Sequence, residues 1–191
     1  MNRETTRELT VFCLLLAIGV LGRWAQPDWN FTPLAAVTVL GAYYFRQLMP
    51  AILLPVGVLL ISDLMVAAHN SYIVQSTVHL MMIVPLWMGR AMRRTEGLGS
   101  KAWRRAAAWA MCGIVPATAF YLVTNFAVWA ARSDYPATAS GLLACFTAGI
   151  PFYRTMIAGD IVYLTLLVGC LAVARAASRQ SDRKVAARGM R

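Results

Sequence analysis

The sequence predicts an all-α membrane protein with six transmembrane helices and with both the N and C termini in the cytoplasm. Hydrophobic residues make up 59% of the 191 residues and charged residues only 14%, which is too little charge to cover a soluble domain of this size. Several apolar stretches reach the roughly 17–25 residues that a helix needs to cross lipid. The basic residues lie between and after these stretches, where they orient membrane proteins.

The predicted helices follow from the apolar stretches and from the residues that interrupt them. The first helix ends at Trp24, an aromatic residue typical of the membrane–water interface. Thr32 and Pro33 predict the start of the second helix, with Thr32 as its N-cap. The six helices are expected at residues 9–24, 33–45, 51–67, 72–88, 106–130 and 151–174, with a short re-entrant or interfacial helix at 142–150.

The distribution of positive charge predicts the orientation. With six spans and a cytoplasmic N-terminus, 15 of the 18 Lys and Arg residues fall on the cytoplasmic side, and only Arg23, Arg132 and Arg154 fall outside. Residues 1–175 are therefore expected to form one membrane domain in the bacterial inner (cytoplasmic) membrane, and residues 176–191 a basic cytoplasmic tail. The net charge of +10 is not accompanied by base-stacking aromatic residues, so no nucleic-acid partner is expected.

Four polar residues from four predicted helices lie in the outer half of the membrane. They are Asp63, His79, Asn125 and Asp160. Such groups are costly in lipid and usually face a bundle interior or a water-filled cavity. We therefore expect one shared chamber that opens to the outside and binds a small solute.

An alternative remains open for the two carboxylates, which would instead pair with Arg23, Arg154 or a backbone donor and lock the bundle. The outer loops favour a solute site because they carry aromatic rings and side-chain amides, a combination typical of ligand pockets. The loop residues concerned are Trp29, Asn30, Phe31, Asn70, Trp129 and Tyr135.

The chain lacks the sequence motifs of common enzymes and metal sites. There is no GxSxG, no HExxH and no Cys/His cluster at metal-ligand spacing. We therefore expect no catalytic residues, no metal and no cofactor. Small residues at four-residue spacing, Thr38 with Ala42 and Ala106 with Ala110, predict helix contacts either within the chain or with a partner subunit.

Four strings carry a family resemblance over about residues 9–175. They are NFTPLAAVTVLGAYYF (30–45), SDL (62–64), TNFAVW (124–129) and YPATASGLLACFTAGIPFYRTMIAGDIVY (135–163). They resemble an uncharacterised bacterial family of transport-type proteins. That family is in turn similar to the substrate-binding S-components of energy-coupling-factor (ECF) vitamin transporters, which have six helices and bind their solute from outside.

The resemblance implies an ECF S-component-like bundle that takes up a vitamin or cofactor precursor, with membrane lipid, a small-molecule solute and an ECF-type energising module as partners. The first helix carries Ala17, Gly19 and Gly22 without the AxxxA spacing typical of S-components, so a solitary transporter is an alternative. An accessory or assembly subunit of a larger membrane complex, with no ligand pocket, is a second functional hypothesis. Together, the residues and the resemblance give as substrate-binding candidates Asn30, Phe31, Thr32, Asp63, Asn70, His79, Asn125, Trp129, Tyr135, Phe152 and Asp160.

Overall fold

The protein is all-helical, with no strand in the part of the chain that the structure describes. The structure, a computed structural model, describes residues 2–65, 71–95, 101–131 and 134–189. Its helices are α1 Arg3–Trp24, α2 Leu34–Tyr44, α3 Leu48–Ser62, α4 Tyr72–Leu80, α5 Ile83–Thr95, α6 Ala102–Ala131 and α7 Ala139–Gly189.

Four stretches of these helices are long and apolar enough to cross a membrane: Glu4–Trp24, Tyr72–Thr95, Ala102–Ala131 and Ala139–Gln180. The apolar helices α2 and α3 are shorter. With 11 residues, α2 is about 16 Å long, roughly half the thickness of the hydrocarbon core. Helices of this length and composition are compatible with a multi-pass membrane protein.

Helix α2 lies at the centre of the bundle and contacts α1, α3, α5, α6 and α7. Nine of its 11 residues are buried, because its sequence is apolar on every face. Gly89 of α5 brings the two backbones together, and a Cβ atom at this position would lie 2.8 Å from the Ala42 Cβ. Thr38 and Ala42 therefore pack within the chain, whereas Ala106 and Ala110 on α6 are exposed.

Four arginines surround the C-terminal end of α2, and we call them the arginine collar: Arg7, Arg90, Arg93 and Arg175. Arg90 Nη1 donates to the carbonyl oxygens of residues 45 and 46, at 3.2 and 2.9 Å. Arg93 Nη1 donates to those of residues 43 and 44, also at 3.2 and 2.9 Å. These carbonyls lie at the helix end that has no intrahelical donors and carries partial negative charge, so cations stabilise it.

The other two collar residues come from the first and last helices. Arg7 Nε donates to the Tyr44 hydroxyl, and Arg175 Nη1 to the Tyr43 hydroxyl, both at 2.9 Å. The start of α1 and the C-terminal part of α7 thus lie at the same end of the bundle. Arg23, at the other end of α1, contacts the end of α3. The four collar arginines, all predicted on the cytoplasmic side, are thus separated from Arg23, which is predicted on the outer side.

The span predicted at residues 72–88 consists of two helices, which is a correction. Helix α4 ends at Leu80 and α5 begins at Ile83. Pro85 is the physical reason, because a proline ring clashes with the carbonyl group four residues earlier, here that of Met81. Between the two helices the backbone bonds span three residues instead of four. They run from Met82 N to His79 O and from Val84 N to Met81 O, both at 3.2 Å.

Three further details differ from the prediction. Residues 142–150 are not a separate helix, since α7 runs without interruption through Pro151; proline is tolerated where neighbouring groups satisfy the freed backbone. Thr32 is not an N-cap, because α2 begins at Leu34 and its N-cap, Pro33, makes no side-chain bond. Helix α3 ends at Ser62, five residues before its predicted end.

Candidate functional site

The loop between α1 and α2 has a sharp turn at Asn30. Its φ of 64° lies in the left-handed region, which Asn tolerates better than most residues. The turn is closed by backbone bonds from Phe31 N to Asp28 O, 3.1 Å, and from Thr32 N to Asn30 O, 3.0 Å. This turn directs the loop across the surface of α7.

Trp29 attaches the outer part of this loop to α7. Thr155 Oγ1 lies 2.6 Å from Trp29 O and can donate to it. The Phe152 ring meets the Trp29 ring edge-on, with centroids 6.3 Å apart. Phe152 and Asn30 are exposed, so they form the rim of this contact.

The inner part of the loop contacts α7 at Gly159 and Tyr163. A Cβ at Gly159 would lie 3.2 Å from Phe31 Cα and 3.3 Å from Thr32 N. The absence of a side chain at 159 therefore allows the loop backbone to approach the helix closely. The Phe31 and Tyr163 rings pack with centroids 5.6 Å apart.

Asp160 follows Gly159 and is buried, with 3% of its surface exposed. Its Oδ2 has no hydrogen-bond partner within the described ranges, and no described basic group lies within 4.0 Å of the carboxyl. A charged carboxylate without a partner is costly in such a place. The carboxyl group therefore needs a proton or a donor supplied by a ligand. We call Asn30, Phe31, Thr32, Phe152 and Asp160 the Asp160 group.

Asp63 and His79 form a second group with Arg23. Arg23 Nη1 lies 2.7 Å from Asp63 Oδ1 and also donates to Ser62 Oγ. Trp24 Nε1 donates to Ser62 O at 3.1 Å. Asp63 thus has a strong partner and ties the end of α1 to the end of α3, as the locking alternative expects for this carboxylate.

The ring of His79 completes this second group. Its Nδ1 lies 2.8 Å from Gln75 O, and because a carbonyl oxygen only accepts, Nδ1 carries the hydrogen. The other nitrogen, Nε2, lies 3.6 Å from Asp63 Oδ2. At 3.6 Å these two atoms are too far apart for a hydrogen bond, so the ring lies next to the Asp63 carboxylate without bonding to it.

Asn125, Trp129 and Tyr135 lie in a third group, where α6 turns into α7. Asn125 Nδ2 donates to Tyr121 O in its own helix at 2.8 Å, and Trp129 Nε1 donates to Pro136 O at 3.0 Å. Tyr135 is half-buried in the turn. The Asn125 amide and the Trp129 indole thus donate to the backbone, which makes these two bonds fixed structural contacts.

The expectation of a common depth is wrong for Asn125 and Asp160. The Asn125 amide packs against Gly149, where a Cβ would lie 3.0 Å from its Cγ. Gly149 precedes Asp160 in α7 by about 16 Å along the helix axis. The candidate site is therefore narrower than predicted and centres on the Asp160 group, while Asn70 lies outside the described residues.

Comparison with known proteins places the chain in a family. A family model described as a family of unknown function, DUF6580, matches residues 3–183. The chain belongs to DUF6580. No curated protein matches it. No solved structure matches it either. The DUF6580 match includes the arginine collar and all three groups of candidate residues.

Sequence reasoning missed several contacts of this DUF6580 protein. Thr155 and Tyr163 hold the loop against α7, yet they are 126 and 132 residues away from Trp29 and Phe31. Gly159 carried the one local signal, since a glycine beside an intramembrane aspartate indicates a close approach of another backbone. The collar arginines were recognised only as orienting charges.

Proposed function

We propose that this DUF6580 protein binds a small polar solute at the Asp160 group from the outer face of the bacterial inner membrane and mediates its uptake. The observation that carries the proposal is the buried Asp160 carboxyl group, whose Oδ2 has no partner among the described residues. Structural carboxylates in membranes are paired, as Asp63 is with Arg23. A carboxyl group left without one is suited to accept a hydrogen bond from a solute.

The surroundings of Asp160 support a site for a partly aromatic or apolar molecule. The Phe31 ring of the loop and the Tyr163 ring of α7 pack against each other near Asp160. The Trp29 and Phe152 rings form the exposed edge of this loop–helix contact. Ligand sites typically combine such apolar walls with a few placed polar groups. A vitamin or cofactor precursor with a hydrogen-bond donor fits this chemistry and agrees with the resemblance to S-components.

The proposed topology has six crossings, with α2 and α3 as short spans and the arginine collar on the cytoplasmic side. Contacts between the helix ends support this alternation, because the C-terminal end of α2 meets the start of α1. An ECF-type energising module is one energy source. However, Gly19 and Gly22 pack against Val58 and Pro33 of this chain, so these small residues support a solitary transporter equally well.

The Arg23–Asp63 pair favours a second candidate function, an accessory subunit of a larger membrane complex. In that case the polar groups would hold the bundle together, and Asp160 would contribute to folding alone. The two functions differ in what they predict for Asp160→Asn, which removes the charge but keeps the size of the side chain.

The experiment begins with a thermal-shift screen of the purified protein against a panel of vitamins and corrinoids. A compound that stabilises the protein is then tested for binding and uptake with the wild type, with Asp160→Asn, and with Glu4→Gln, an exposed acid-to-amide control. We expect Asp160→Asn to reach normal membrane levels and to lose binding and uptake, while the control retains both. Poor accumulation with normal uptake per molecule supports the accessory function instead, and a panel without any stabilising compound contradicts the proposed solute class.

A further inference from the structure

We propose that the solute bound at the Asp160 group carries a positive charge, as an organic ammonium group or a cationic ring nitrogen, which pairs with the Asp160 carboxylate. The inference rests on the proposed function and narrows the class of solute. Two features of the described residues carry it: a carboxyl group to which the chain gives no cationic partner, and the aromatic rings near that group.

The first feature is the difference between the two aspartates of the candidate groups. Asp63 is half-buried, and Arg23 Nη1 lies 2.7 Å from its Oδ1. Asp160 is more deeply buried, with 3% of its surface exposed, yet its Oδ2 has no hydrogen-bond partner in the described part of the chain. Burial of a carboxylate is favourable only when a positive charge and hydrogen-bond donors replace the lost water. The chain supplies this charge for Asp63, so for Asp160 we expect a bound molecule to supply it.

The segments that meet beside Asp160 contain no basic residue. Residues 25–33 of the loop and 155–163 of α7 have no Lys, Arg or His, and their two charged residues are Asp28 and Asp160. Arg154, the preceding basic residue of α7, is exposed and about 9 Å from Asp160 along the helix axis. The start of α2 contributes only about half a positive charge. A solute with a carboxylate or phosphate group therefore meets net negative charge at this loop, whereas a cation is attracted.

The second feature is the set of aromatic rings. Tyr163 follows Asp160 by three residues and so lies on the same side of α7, and its ring packs against that of Phe31 with centroids 5.6 Å apart. Trp29, whose ring meets that of Phe152 edge-on, is 72% exposed and accessible to an incoming solute. The faces of aromatic rings attract ammonium groups, and tryptophan does so most strongly. The carboxylate and the rings therefore favour the same charge on the solute.

This composition suits an organic cation better than a metal ion. Hard metal ions require several oxygen ligands arranged around them, and no three His, Cys, Asp or Glu residues of the described ranges lie close enough together to hold one. The Asp160 group offers a single carboxylate beside carbon-rich rings. The expected solute is a cation with an apolar or aromatic body.

The test uses pairs of compounds that share a shape and differ in charge. Tryptamine is compared with tryptophol, and benzylamine with benzyl alcohol, while thiamine, riboflavin and biotin represent a cationic, a neutral and an anionic vitamin. Dissociation constants are measured on the purified full-length protein by isothermal titration calorimetry. Asp160→Asn removes the proposed charge partner, and Trp29→Leu removes an exposed ring. The control, Glu4→Gln, removes an exposed carboxylate at the start of α1.

We expect at least one cation to bind the wild type and the control about tenfold more tightly than its neutral counterpart, and Asp160→Asn to lose this preference. If Asp160→Asn does not fold, Trp29→Leu is expected to weaken binding of the cation about threefold and that of the neutral counterpart less. Equal or tighter binding of the neutral compounds, or a preference for cations that persists in Asp160→Asn, overturns the inference. Binding of riboflavin or biotin alone, lost in Asp160→Asn, also overturns it but leaves the proposed function intact. The absence of any binding that depends on Asp160 contradicts both.

Discussion

Arg23 Nη1 and Asp63 Oδ1 lie 2.7 Å apart, and this ion pair joins the end of α1 to the end of α3. Only 13% of the Arg23 side chain and 26% of the Asp63 side chain are exposed, so water competes weakly for the two charges. The pair lies at the end of the bundle opposite to the arginine collar. It accounts for Asp63 in structural terms and leaves Asp160 as the candidate for solute binding.

Replacing either member of this pair is expected to lower stability. Asp63→Asn leaves the Arg23 guanidinium without its anionic partner, and a lost hydrogen bond between charged groups costs about 2 kcal/mol. Thermal unfolding of Asp63→Asn, Arg23→Gln and the double variant measures the coupling between the residues. We expect the double variant to be less destabilised than the sum of the two single variants. Strict additivity would show that the contact contributes nothing.

Gly89 permits the close packing of α5 against α2. Its Cβ would collide with Val39 O and lie 2.8 Å from the Ala42 Cβ, and neither backbone can yield easily. We expect Gly89→Ala to lower the Tm, by a loss of about 1–3 kcal/mol in stability. Gly169→Ala is the matched control, because no atom lies within 4 Å of a Cβ there. An unchanged Tm for Gly89→Ala contradicts the central position of α2.

The proposed orientation predicts which loops can be labelled from outside. Asp28 and Gln47 are exposed residues on the two sides of α2. In a background without the four native cysteines, Asp28→Cys is expected to react with a membrane-impermeant maleimide in intact cells. Gln47→Cys is expected to react only after the membrane is opened. The reverse labelling pattern would show the opposite topology, with the Asp160 group on the cytoplasmic side.

The bond from Thr155 to the α1–α2 loop is expected to position the proposed solute site. Thr155→Val keeps the shape of the side chain but cannot donate to Trp29 O, now 2.6 Å away. We expect affinity for a solute identified in the thermal-shift screen to fall several-fold, roughly one neutral hydrogen bond, with normal folding. Thr165→Val, an exposed position in the same helix, serves as the control. Equal affinities for the wild type and Thr155→Val would show that this bond does not position the solute site.

The sequence predicted an all-helical chain but not how its prolines divide the helices. Pro85 ends up in the first turn of α5, where a backbone N–H has no intrahelical partner and its absence costs little. Pro151 is an exposed residue inside α7, the helix that packs along α6. Both prolines lack the same donor, and the different outcomes depend on tertiary neighbours that local sequence does not reveal.

The site was predicted in part, for a similar reason. Asp63 and Asp160 were identified as candidates because each is a carboxylate within a predicted span, which the sequence alone reveals. Their different environments were not visible. Asp63 pairs with Arg23, which is 40 residues away in the sequence. Asp160 lies beside the α1–α2 loop, whose contact with α7 joins residues more than 120 positions apart in the sequence. Counting from the predicted helix ends also placed Asn125 level with Asp160, whereas it packs against Gly149, about 16 Å along α7 from Asp160.

The short central helix has a consequence for how the protein is made. A segment of 11 residues cannot be held by the bilayer alone, and its cover comes largely from α5, α6 and α7, which are synthesised after it. Stable packing of α2 therefore depends on helices that follow it in the sequence, and chains truncated before residue 83 lack the surfaces that complete it.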